Sequence, residues 1–252
     1  MLIEVKELVG LWKIQPNGIL HVGAHEGEEY ETYCQAGWVT SEKRVTWVEI
    51  QHDLVSKLQK KLPRDLNTIL EGAIWDRDGI SLNLQLANNS QATSLLGFGT
   101  HSETYPEISV IREENVITTR LDSLLNNNQT FDFVNLDIQG AELKALVGMG
   151  KMIDNVNWVY TEVNKRSVYE GCALVGEMDD FLLQHGFKRG ATKWMRGAGY
   201  GDALYVRIRD LNGNVILKNR IFVFRKLLSW LLRTSQLTNR MGKKVMRALK
   251  IT

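Results

Sequence analysis

Apolar positions fall at helical spacing across residues 2–13, LIEVKELVGLWK, and the pattern breaks at Pro16-Asn17-Gly18. The apolar run 18–23 that follows has the length of a strand, and a polar, helix-like stretch covers 28–37. Residues 45–49 are rich in β-formers. Residues 51–62 place Leu54, Leu58 and Leu62 on one helix face, which Pro63 ends. A third strand is predicted over 69–74, running into the turn Asp76-Arg77-Asp78-Gly79. Residues 80–86 alternate apolar and polar, as a half-buried antiparallel strand does. Between 87 and 115 the chain is rich in Asn, Ser, Thr and Gly and reads as a long functional loop. Strand character returns over 116–120 and 131–137, then a helix over 141–149 and a strand over 158–162. A helix over 178–185, stopped by Gly186, and a strand over 203–208 complete the pattern.

Strands alternating with helices predict an α/β fold, a mostly parallel sheet covered by helices on both faces. The alternating strands near the end predict an antiparallel edge. Ligands of such sheets collect at the carboxyl ends of the strands. The first strand ends in His21-Val22-Gly23-Ala24-His25-Glu26-Gly27, whose glycines let the backbone turn tightly and approach a ligand. It is neither G-x-G-x-x-G nor the phosphate-cradling loop with Lys and Ser/Thr. The second strand ends in Glu49, 26 positions after Gly23, where an acid can accept both hydroxyls of a ribose. A missing Lys or Arg grip for phosphate points to a nucleoside without a phosphate chain, and S-adenosylmethionine fits better than NAD or ATP. Asp137 and Glu162, on neighbouring strand tips, stand together as a base toward a hydroxyl or, with Asn164, as oxygen ligands for Mg²⁺ or Mn²⁺. Glu142 is read as a first-turn helix acid. His101, in the polar loop, is the alternative base. Trp194 and Tyr200 offer faces for stacking a sugar, with the 87–115 loop as a lid.

The 252 residues, 44% hydrophobic and 24% charged, exclude collagen-like, low-complexity and disordered classes. Cys34 and Cys172 make no staple framework and read as reduced, intracellular residues. MLIEVKELVG lacks the apolar core of a signal peptide, and no run reaches the ~18 apolar residues of a membrane span. A cytoplasmic protein is expected. The net charge of +2 hides an asymmetry. Residues 209–252 hold 11 Lys and Arg against the single acid Asp210, whereas residues 1–208 hold 20 bases and 28 acids. This divides the chain into a domain over 1–208 and a basic tail. Within the tail, IFVFRKLLSWLL (221–232) suits packing as a terminal helix, peripheral contact with an anionic membrane, or docking on a partner such as a glycosyltransferase. The acidic body speaks against nucleic acid.

Four segments in order, His21 to Gly27, Trp47-Val48-Glu49, Thr119-Arg120-Leu121-Asp122-Ser123-Leu124 and Asn135-Leu136-Asp137-Ile138-Gln139-Gly140-Ala141-Glu142, resemble the FkbM-type S-adenosylmethionine-dependent methyltransferases. Gly201-Asp202-Ala203-Leu204-Tyr205-Val206 fits as well, and the resemblance covers roughly 17–208. It implies the class I methyltransferase, Rossmann-like fold and O-methylation of a hydroxyl on a sugar, a glycan or a polyketide-like product. It also implies a cofactor site at His21, Gly23, Ala24, His25, Gly27, Glu49, Ile50, Ala73 and Asp137. This sequence departs from the family in carrying His21 where an acid is frequent, and Gln139 where Glu is frequent. A second reading stays open, a non-catalytic module of the same fold that docks through its tail.

Overall fold

The computed structural model describes residues 1–125, 129 and 131–208. In chain order the elements are α1 (Val5–Trp12), β1 (Ile19–Val22), α2 (Tyr30–Gln35), β2 (Val45–Glu49), α3 (His52–Lys61), β3 (Asn67–Glu71), β4 (Ala73–Ile74) and β5 (Ser81–Ala87). They continue as α4 (His101–Thr104), β6 (Val110–Thr119), α5 (Leu121–Leu124), β7 (Phe133–Leu136), α6 (Glu142–Gly148), β8 (Trp158–Asn164), α7 (Val175–Gln184), β9 (Phe187–Trp194) and β10 (Tyr200–Arg207).

Seven strands form one sheet in the order β3-β2-β1-β7-β8-β10-β9. The first five run parallel, and β10 joins antiparallel to both β8 and β9. Every residue of β1, β2 and β7 is buried. That is why these strands read as unbroken apolar runs, since helices cover both faces of a parallel sheet. In α1 the buried Val5, Leu8 and Trp12 recur at helical spacing, and in α3 Leu54, Val55 and Leu58 do the same. The strand order reverses between β1 and β7, the point where ligands settle in open α/β sheets. This is the class I methyltransferase arrangement with its antiparallel edge.

Three expectations needed correction. The single strand over 69–74 is two strands: β3 stays in the large sheet, while β4 pairs with β6 in a second sheet of order β4-β6-β5. The chain leaves at Gly72, where a Cβ would stand 3.0 Å from Leu124 Cδ2 and 3.3 Å from Thr119 Cγ2. The loop over 87–115 is shorter than expected, because Val110 to Asn115 belongs to β6 and pairs with β5. Solvent-exposed Arg112, Glu113 and Glu114 give that half-strand the composition of a loop. Strand β9 was not foreseen: its Lys188, Arg189 and Lys193 dilute the β signal, as charges commonly do at a sheet edge.

Among the described residues, no helix is long and apolar enough to cross a membrane. The roles expected of the basic tail fall on residues 209–252, outside those described.

Candidate active site

The turn after β1 is held by backbone hydrogen bonds and by the Glu49 carboxylate. Gly23 and Ala24 both donate to Val48 O, at 2.9 and 3.2 Å, and His25 adopts a φ of 44°. Gly23 has a φ of 86°, and a Cβ there would lie 1.8 Å from the carbonyl oxygen of Asp137. Only glycine allows the tips of β1 and β7 to approach this closely. Glu49, 4% exposed, accepts the His25 N–H on Oε2 at 2.8 Å. Its Oε1 accepts the N–H groups of Ile50 and Gln51, both at 2.9 Å. Burial pushes its carboxyl above the ordinary range, and those three N–H groups pull it back.

A narrow cavity of about 70 Å³ lies against Glu49, Ile50, Gln51, Gly72, Ile74 and Ile138. Ser90 helps to cover it, with its Oγ 2.9 Å from His25 Nε2 and its carbonyl accepting from Gln51 Nε2 at 3.2 Å. Not every expected cofactor residue reaches this space. Ala73 is buried and pairs with Thr118, leaving its neighbours Gly72 and Ile74 on the wall. Gly27 turns toward α3, where a Cβ would meet Leu58 Cδ2 at 2.9 Å, and Ala24 is buried beneath the turn. Both shape the turn without lining the cavity.

Asp137 follows β7 and begins a second strained turn, with Gln139 at φ 54° and Gly140 at φ 101°. Glu142 holds this turn, accepting the N–H groups of Ile138 and Gly140 on Oε1 at 3.0 Å each. Its place in the first turn of α6 is as expected, but its carboxylate is buried and serves the turn before the helix. Gln139 Nε2 donates to Asp137 Oδ1 at 2.6 Å, Gln139 Oε1 accepts from Tyr169 at 2.5 Å, and Gln139 O accepts from Ser94 Oγ at 2.7 Å. An uncharged side chain at 139 therefore acts as a fastener. Asp137 opens onto a chamber yet is walled by protein. Its carboxyl is pushed up to about 6, first by desolvation and then by the nearby Asp202 carboxylate. Glu142 is pushed up to about 7, again chiefly by burial.

The chamber measures about 510 Å³ and shares Gly23, His25, Gln91, Asp137 and Gln139 with the narrow cavity. The two spaces meet at the tips of β1 and β7. Glu162 and Asp202 line the chamber from β8 and β10, with Tyr105, Tyr169 and Tyr200 on its wall. Burial, then the neighbouring Glu142 and Asp137, raises the Glu162 carboxyl well above its ordinary value. His21 also lines it, stacked at 4.7 Å on Trp47, with its basicity lowered by burial. His101 heads α4, with ring centroids of Phe98, Tyr105 and Tyr169 at 4.5, 5.2 and 5.4 Å. Burial lowers its pKa, so its imidazole is neutral near pH 7, and no hydrogen bond to its Nδ1 forms among the described residues.

The expected metal set does not assemble. Asn164 is 1% exposed, lines neither space, and reaches Glu162 Oε1 only at 3.5 Å. Among the described residues no group of three or more His, Cys, Asp or Glu is placed to hold a metal ion. Trp194 is also withdrawn from the chamber, packed against the core with Lys165 Nζ 4.1 Å above its ring, whereas Tyr200 faces the chamber. Asp202, Tyr105 and Tyr169 were not singled out from the sequence. The only signal was that Asp202 lies within the segment 201–206 already noted.

Residues 21–189 match the family described as the methyltransferase FkbM domain. No curated protein matches the chain. Among solved structures, an FkbM methyltransferase from Methylobacillus flagellatus KT is 14% identical, with a TM-score of 0.49, covering 75% of this chain and 43% of its own. The magnesium protoporphyrin IX methyltransferase of Synechocystis PCC 6803, with bound SAH, is 12% identical, with a TM-score of 0.46 and coverage of 81% and 80%. Fibrillarin of Aeropyrum pernix, in complex with S-adenosyl-L-methionine, is 13% identical, with a TM-score of 0.43 and coverage of 81% and 73%. The family match spans well over half of the sequence and includes the turns after β1, β2 and β7, so this chain belongs to the FkbM methyltransferase family.

Proposed function

We propose that this protein is an S-adenosylmethionine-dependent O-methyltransferase acting on a hydroxyl of a sugar or glycan. The observation that carries the reading is a pair of adjoining spaces, a narrow cavity ending on Glu49 and a polar, tyrosine-walled chamber, which share Gly23 and Asp137 on their walls. The cofactor fits the residues present. Glu49 offers a ribose the lone-pair positions that three backbone N–H groups leave free. Ile50, Ile74 and Ile138 give an adenine apolar walls, and the bare Cα of Gly23 allows close approach. The cavity holds only about 70 Å³, so entry of a nucleoside requires the segment at Ser90 that borders it to move outward. When bound, the cofactor supplies a methyl group already activated on a sulfonium.

The chain's own task is then to align a hydroxyl and to remove its proton. Asp137, at the junction of the two spaces, is largely ionised at pH 7 and accepts the proton. Neutral His101 is the second candidate acceptor, facing the same chamber. Tyr105 and Tyr200, whose hydroxyls lie 3.0 Å apart, present ring surface and hydrogen-bonding groups to a sugar. Among the described residues no group of three or more His, Cys, Asp or Glu is assembled that could hold an assisting metal. The test is transfer of labelled methyl from S-adenosylmethionine to a panel of oligosaccharides. Asp137→Asn should retain cofactor binding and lose at least about a hundredfold in turnover, within the range typical of general bases. Undiminished turnover would remove Asp137 as the base. Cofactor binding without transfer to any acceptor would favour a non-catalytic module.

A further inference from the structure

The backbone of Gln139 sits at φ 54°, in the left-handed region that a residue other than glycine enters only when its surroundings hold it there. Its side chain is engaged at both ends. Nε2 donates to Asp137 Oδ1 at 2.6 Å, and Oε1 accepts from the Tyr169 hydroxyl at 2.5 Å. The carbonyl oxygen of the same residue accepts from Ser94 Oγ at 2.7 Å. The exit of β7, the segment after β5 and the segment after β8 thus converge on Gln139.

The outer anchor is well packed. Tyr169 is 1% exposed and lies among Val168, Cys172, Leu96 and Phe98. The turn is pressed directly onto it: a Cβ at Gly140 would stand 2.9 Å from Tyr169 Cβ and 3.0 Å from Cys172 Cβ. Chemistry fixes the direction of the hydrogen bonds. An ionised carboxylate only accepts, so the amide nitrogen must face Asp137; the amide oxygen then faces Tyr169, and the hydroxyl donates. An amide can donate at one end and accept at the other, which an ionised acid, a thioether or an ammonium group cannot do. An ionised Glu at 139 would keep the bond from Tyr169 but set a second carboxylate against Asp137 Oδ1.

The last torsion of an aspartate is broad, so an unheld carboxyl swings easily. Gripped at Oδ1, the Asp137 carboxyl keeps one plane, and its Oδ2 keeps one direction. Proton removal depends on such alignment, and a displacement of about 1 Å can cost on the order of a hundredfold in rate. The Gln139 N–H also favours the ionised form that a base needs, against the opposing pull of burial and Asp202.

Resting on the reading of Asp137 as the proton acceptor, we propose that Gln139 is a positioning residue: anchored on Tyr169, it grips Asp137 Oδ1 and aims Oδ2 at the acceptor hydroxyl. The test compares the full chain with Gln139→Met, Gln139→Glu and Tyr169→Phe. It uses labelled methyl transfer from S-adenosylmethionine to the same panel of oligosaccharides, with calorimetric titration by S-adenosylhomocysteine alongside. Cofactor affinity and acceptor KM should stay within about threefold, while kcat falls about tenfold or more in both Gln139 variants and less in Tyr169→Phe. In an Asp137→Asn background none of the three should lower kcat further, because the carboxylate they position is gone. A loss of the same factor in both backgrounds, or a fall in cofactor affinity that accounts for it, would make Gln139 a part of the turn only and overturns the proposal. Undiminished kcat in the Gln139 variants overturns it too. A wild type that transfers to no acceptor fails the methyltransferase reading, and the proposal with it; the proposal fails alone when the wild type transfers and the variants match it.

Discussion

Glu49 and Glu162 are both buried glutamates near the ends of strands in one sheet, three strands apart, yet their surroundings differ in kind. Glu49 is held by three backbone N–H groups from the two turns beside it, over a narrow cavity. Glu162 faces a second carboxylate across the ladder, over a wide chamber, with one long contact from Asn164. The cofactor side is satisfied in advance by the backbone. On the chamber side, His101 Nδ1 has no hydrogen-bond partner among the described residues. Preorganisation suits a ligand that is the same in every turnover, while unmet polar groups impose selectivity on the one that varies.

The largest effect on this contrast should come from Gly23→Ala. A Cβ 1.8 Å from the Asp137 carbonyl, at a φ of 86°, cannot be absorbed by a side-chain movement. Strain and clash together should cost about 3 kcal/mol or more and abolish cofactor binding. Urea unfolding and a binding assay measure both. An unaltered midpoint would mean that the two strand tips are not locked together.

A smaller effect concerns pH. Asp137 and Glu142, raised from 3.8 and 4.5 to about 6 and about 7, bind protons more tightly folded than unfolded. Stability contributed by these groups should therefore fall as pH rises from about 4 to about 7. Glu142→Gln keeps an acceptor for the N–H groups of Ile138 and Gly140 and removes the titration. Its unfolding free energy should depend less on pH than that of the wild type, by on the order of 2 kcal/mol between pH 4 and 8. Identical pH profiles would contradict the burial argument. The smallest effect should be that of Ser90→Ala. It loses only the exposed link to His25 and should alter cofactor affinity by less than about threefold, since such bonds contribute about 1 kcal/mol or less.

The same contrast explains what the sequence could convey. The cofactor side was legible because its parts are local: Gly23 ends β1, Glu49 ends β2 and Asp137 follows β7, each within a few residues of a strongly apolar strand. Ala73 misled because the chain changes sheets at Gly72, a turn that apolar periodicity does not register. The acceptor side is assembled across long separations. Tyr105 meets Tyr200 through the loop before β6, and Asp202 meets Glu162 only because β10 inserts antiparallel beside β8. Sequence placed Asp137, Glu162 and Asn164 near one another, but it carried no distances, and Asn164 lines neither space while Asp137 and Glu162 both line the chamber. His101 could be named from the sequence; its enclosure by Phe98, Tyr105 and Tyr169 could not.

The central claim is that Glu49 anchors a nucleoside cofactor in the narrow half of a two-part site. Calorimetric titration of the wild type and of Glu49→Ala with S-adenosylhomocysteine tests it most directly. The account predicts micromolar binding by the wild type and a loss of at least about a hundredfold in the variant, equivalent to roughly 2.7 kcal/mol. Equal affinity in the two proteins, or no binding by a folded wild type, would contradict it.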